Sequence, residues 1–155
     1  MRVAFKTVVL LACLTSTVHA APAGNGTIIA CGQNLTLQTD GGSFKEVFGA
    51  KTAQRLAALS AKLAPLLTRA LDDLCGKKIT SPNEIAKRAT TIVIQNAAGA
   101  DNFTAYFQKG TQAQMVVQWS WSDASKIEMP SATDVEDGLR CTFKYTESAC
   151  ADRQP

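Results

Sequence analysis

Residues 56–76 read LAALSAKLAPLLTRALDDLCG, and the fold class turns on this stretch. Leu56, Leu59, Leu63, Leu66, Leu67, Ala70, Leu71 and Leu74 return at helical spacing, so they share one apolar face. Gly76, with Lys77 and Lys78 beside it, supplies a C-terminal stop. Pro65 falls off the leucine face, so it marks either a bend in one long helix or a division into two shorter ones. Just upstream, Asp40-Gly41-Gly42 reads as a turn, and Ser43-Phe44-Lys45-Glu46 has the form of a capping box that opens the helical region.

Outward from this helix the pattern changes to strands. Thr27 to Gln38 is extended, with Gly32 marking a bulge or a break. After the long helix, Ser81-Pro82-Asn83-Glu84 starts a short one that runs to about Ala89. Thr90–Asn96 is β-branched and apolar, and Phe103–Phe107 alternates. Gln108-Lys109-Gly110 is a tight turn into a strand over Thr111–Trp121. Ser122–Val135 reads as a long loop. Leu139–Thr146 reads as a last strand, with Leu139, Cys141, Phe143 and Tyr145 on one side. Linkers of hairpin length imply antiparallel neighbours. The expected fold is therefore α+β: a long helix and a short one laid on one face of a four- to five-stranded antiparallel sheet, braced by disulfides.

Met1–Ala20 has a basic start, an apolar run and a small residue at its end, the layout of a secretory leader removed after Ala20. Residues 21–26 then form a flexible start and 27–155 one α+β domain, in a secreted, periplasmic or extracellular location. Leu10-Leu11-Ala12-Cys13 offers a lesser alternative, a lipoprotein anchored through Cys13. The chain holds 16 basic and 13 acidic side chains; losing Arg2 and Lys6 with the leader leaves a net charge of +1. That is too little to mark a nucleic-acid binder. Nor does the mature chain contain a transmembrane segment.

Cys31, Cys75, Cys141 and Cys150 remain after cleavage, and an even number in an exported chain reads as two disulfides. Cys31–Cys75 with Cys141–Cys150 is the favoured set, and the two other pairings stay open. No C-x-x-C pair is present, so no metal site is expected.

Candidate chemistry is sparse. His19, the one histidine, lies in the leader, which excludes Ser-His-Asp and Cys-His catalysis in the mature chain. Asp72 and Asp73, adjacent on a helix, diverge. Asp134, Glu136 and Asp137 read as a solvated acidic turn without the spacing of a calcium loop. Lys51, Arg55, Lys62 and Arg69 form a stripe on the long helix, read as a solubilising flank with Arg69 offset by Asp73. No cofactor is expected.

The candidate binding surface consists of Trp119 and Trp121, if their side of the strand faces outward, and the loop residues Gly99, Asp101 and Asn102. If it faces the helix, both tryptophans are core. Asn25, Asn34 and Asn102 open N-glycosylation sequons, which matter only in a eukaryotic secretory pathway. The functional expectation is an exported, non-catalytic protein, monomeric or weakly dimeric. It would act on another protein as an inhibitor, immunity factor or accessory factor. The alternative is a small-ligand carrier or carboxylate hydrolase with a pocket between helix and sheet.

Overall fold

The computed structural model describes residues 24–145 apart from 112 and 124. The leader, Cys13 and Cys150 lie outside the described residues. In chain order the elements are β1 (Gly26–Ala30), β2 (Gln33–Thr39), α1 (Gly41–Phe48), a 3-10 turn (Gly49–Lys51), α2 (Thr52–Gly76), α3 (Pro82–Arg88), β3 (Thr91–Asn96), β4 (Thr104–Phe107), β5 (Gln114–Trp119) and α4 (Ala132–Lys144).

The leucine stretch is helical throughout, with Pro65 inside the helix and on its exposed side. α2 does not reach back to Ser43. Asp40 caps a separate helix α1, its side chain accepting from the Gly42 N–H at 3.1 Å. α1 then stops at Gly49, whose φ of 50° is open to glycine and costly to most other residues. The second start signal is used as read: the Ser81 hydroxyl accepts from the Glu84 N–H, with Pro82 in the first turn.

The sheet has five strands in the order β1-β2-β3-β5-β4. It is mixed, not antiparallel: β2–β3 and β3–β5 are parallel, while β1–β2 and β4–β5 are antiparallel. β2 returns to β3 only after α1, α2 and α3, which suits a parallel crossover. The loop from Ala97 to Phe103 does not close a hairpin between β3 and β4. It leads to the sheet edge, and β5 then inserts between the two strands.

Of the two readings of Gly32, the break holds and the bulge does not: Thr27–Gln38 is a hairpin of two strands with Gly32 in its turn. Cys31 and Gly32 have φ of 51° and 69°, the left-handed pair that a two-residue connection needs. The region expected to form the last strand is α4 through Lys144. Ser131 and Asp134 form a capping box at its start, and Val135, Gly138, Leu139, Thr142 and Phe143 make its buried face.

All the helices pack on one side of the sheet. Leu35 and Leu37 of β2, Ile92 and Ile94 of β3, and Met115 and Val117 of β5 point into this layer. They meet α2 leucines, Phe44 of α1, Ile85 of α3 and Leu139 of α4. Each fully buried side chain of this size contributes about 1.5–3 kcal/mol. The Cys31–Cys75 disulfide joins the hairpin tip to the last turn of α2, and the Asp72 carboxylate accepts from the Cys31 N–H at 2.6 Å. Cys141 is disulfide-bonded as well.

Candidate binding face

None of the five strands contains Asp, Glu, Lys or Arg. Alternation along each strand therefore gives the side opposite the helices an uncharged surface. It holds Thr27 and Ile29 from β1, Thr36 and Gln38 from β2, and Thr91, Val93 and Gln95 from β3. β4 adds Thr104 and Tyr106, and β5 adds Gln114, Val116 and Gln118. Val93 and Val116, paired in register, are the buried centre of this face at 8% and 0% exposure.

Around the valines the amides form a chain. Gln118 Nε2 donates to Gln95 Oε1 at 3.0 Å, and Gln95 Nε2 donates to Asp40 Oδ2 at 3.4 Å. Thr104 Oγ1 lies 3.5 Å from Gln118 Oε1 at the other end. Register places Thr104, Gln118 and Gln95 side by side across β4, β5 and β3. Each amide is thus oriented by its neighbour, and Gln95 and Gln118 are half-buried.

The rim lies where the parallel strands end. Asn96, at the end of β3, fixes it from the helix side. Its N–H donates to Ser43 Oγ at 3.0 Å, and its side-chain oxygen accepts from the Trp121 N–H at 2.8 Å. The Gly99 N–H donates to Ser120 Oγ at 3.2 Å. Gly99 and Asp101 are exposed and Asn102 is half-buried.

The tryptophans are elsewhere. Val117 faces the helices, so its strand-mate Trp119 packs against the core, and Trp121 is 2% exposed with its ring 5.3 Å from Phe44. An outward aromatic strip is not formed: Trp121 is buried, and Trp119, half-buried, packs against the core. Of the sequons, Asn25 spends its side-chain oxygen on the Thr39 N–H, and Asn34 is exposed on β2.

The acidic residues before Gly138 are not a turn. They occupy the first turns of α4, where Asp134 closes the capping box. Glu136 accepts from Lys77 Nζ at 2.5 Å and from Arg140. The Lys77 hydrogen bond chiefly, with help from Arg140, holds the Glu136 carboxyl below its usual range against a smaller opposing effect of burial. On α2, Arg55 reaches the Ser125 carbonyl, and Lys62 and Arg69 are exposed. The expected Arg69–Asp73 pair is not among the ion pairs of the described residues. Among those residues no three His, Cys, Asp or Glu side chains gather to hold a metal ion. The buried polar side chains described are Ser60, Thr80 and Thr142, with no carboxylate. No described helix is long and apolar enough to cross a membrane.

Fold and face together define an α+β protein with a one-sided helix layer and a sheet whose strands carry no charged side chain. The chain matches no known protein family, no curated protein and no solved structure.

Proposed function

We propose that this is an exported, non-catalytic protein that binds another protein through the outer face of its sheet, with the Gly99–Asn102 loop as one rim. The observation that carries the reading is that the strands place no charged side chain on that face, the Asp40 carboxylate entering only at the end of the amide chain. Interface centres are depleted of charge, because an ion that loses water without gaining a partner costs several kcal/mol or more. Gln38, Gln95, Gln118, Thr36 and Thr91 offer donors and acceptors without that cost, and Tyr106 adds an aromatic body with a polar tip. Inhibitor, immunity factor and accessory factor are all forms such binding takes. Export rests on the leader-like start, and the oxidised Cys31–Cys75 pair supports it, since cytosolic thiols are kept reduced. The carrier or carboxylate hydrolase reading lacks an inward-facing acid among the described residues.

The test is affinity capture from the organism's own extracellular or periplasmic fraction, using the oxidised chain and the double variant Gln95→Lys, Gln118→Lys. The expected result is one stoichiometric protein held by the wild type and lost by the variant. Capture of no partner, or equal capture by both, overturns the reading.

A further inference from the structure

The two outer strands of the sheet are finished differently. On β4 the Ala105 carbonyl points outward, and Thr142 Oγ1 of α4 donates to it at 2.6 Å. On β1 the two-residue turn makes Ala30–Gln33 a hydrogen-bonded pair, so Ile28–Leu35 and Gly26–Leu37 are bonded as well. Thr27 and Ile29 must then turn their N–H and C=O groups away from β2. The same parity appears on β2, where the Thr36 N–H is directed at the Thr90 carbonyl of the next strand's approach. Ile29 is 66% exposed and lies beside these outward groups. Natural edge strands are normally guarded by charge, proline, a bulge or a cover. β1 is a regular strand without charge or proline, and its hairpin is uncharged from Gly26 to Thr39.

We propose that a second copy of this chain covers this edge, β1 pairing antiparallel with β1 about a twofold axis at Ile28. In that register Thr27 of one copy faces Ile29 of the other, twice, so the four outward-facing groups of each strand are satisfied by about four hydrogen bonds between the two. Pairing ends at Ala30, because Cys31 turns into the left-handed region and gives its N–H to Asp72. Two identical neutral strands bring no like charges together, which is the complementarity that self-pairing requires. On the helix side of this edge the side chains are small: Ala53, Ala57 and Ala64 fall on the flank of α2 that also carries Cys75, the residue tied to the hairpin tip. The union extends the sheet and leaves its outer face open, so it is independent of the partner proposed above.

Sedimentation equilibrium of the oxidised chain, from about 1 μM to about 1 mM, tests the pairing. Self-association to a dimer and no further is expected. Ile29→Lys, and separately Thr27→Pro, which removes one outward donor without touching a β1–β2 bond, should each weaken it about tenfold or more at unchanged thermal stability. The Gln95→Lys, Gln118→Lys double variant should dimerise like the wild type while losing the captured partner, which separates failure of one proposal from failure of the other. A wild type that stays monomeric throughout, higher assemblies in place of a dimer, or an Ile29→Lys dimer as tight as the wild type overturns the proposal. So does a monomer whose β1 takes up a foreign strand.

Discussion

β1 and β4 border the same sheet and solve the same problem of unpaired backbone in opposite ways. β4 is sealed by its own chain. α4 crosses it so closely that a Cβ at Gly138 would stand 2.7 Å from the Phe103 carbonyl oxygen, and Thr142 takes the Ala105 carbonyl. β1 receives no such cover from the described helices and is held at one end, where Cys31–Cys75 and the Asp72 carboxylate fasten the hairpin tip. The lesson is that an edge can be made safe by burial or merely held in register by a tether. Only the second kind stays able to accept another strand.

The tether is where the largest effect is expected. Replacing both Cys31 and Cys75 by Ser releases a loop with a sequence separation of 44 residues. Chain-entropy reasoning puts the loss at about 4 kcal/mol, read as a fall in the urea midpoint. If stability barely moves, Asp72 and core packing hold the hairpin without the bridge.

On the sealed edge, Gly138→Ala tests the closeness of α4. In an ordinary helix interior this change stabilises by about 0.5–1 kcal/mol. Here the added methyl meets backbone, so a loss of about 1–3 kcal/mol is expected in chemical denaturation. A gain would mean that the helix does not press on Phe103. Thr142→Val keeps the shape and removes the donor. With the Ala105 carbonyl left uncapped, about 1–2 kcal/mol should be lost. Faster amide exchange in β4 should accompany the loss while β1 stays unchanged.

The smallest effect concerns how α4 is fastened to α2. Glu136 has its carboxyl pKa lowered in the folded state by Lys77 and Arg140. A lowered folded value means that the contribution is complete at neutral pH. It starts to fall as the pH drops through the ordinary glutamate value of about 4.3, and it is gone below the lowered folded value. Thermal melts between these limits should show a shallower acid-side decline for Glu136→Gln than for the wild type. Parallel curves would assign the acid sensitivity to other carboxylates.

Local signals in the chain are legible where one element carries its own explanation. The leucine face, the Ser81-Pro82 start, β3 and the β4–β5 hairpin needed no distant partner, and Cys31–Cys75 was the favoured bridge. α4 is hidden in the sequence because Leu139, Cys141, Phe143 and Tyr145 alternate as a strand would. The competing helical set, Val135, Leu139, Thr142 and Phe143, occupies the same residues. The capping box at Ser131 and Asp134 was the available clue. Gly138 concealed it, since a glycine needed for close contact resembles one needed for a turn. The parallel β3–β5 pair is not legible in linker length, because β5 enters between strands that precede it, whereas the helical linker from β2 to β3 is long enough for a parallel crossover. The amide chain was equally hidden: Asp40, Gln95, Thr104 and Gln118 come together only through inter-strand register.

A sheet whose strands carry no ions has a kinetic consequence. Binding through its outer face would gain no long-range electrostatic steering there, so encounter should proceed at the unassisted rate of about 10⁵–10⁶ M⁻¹s⁻¹ and respond weakly to added salt. A tight complex would then owe its lifetime to slow dissociation, and brine that strips off charge-driven contaminants would leave it intact.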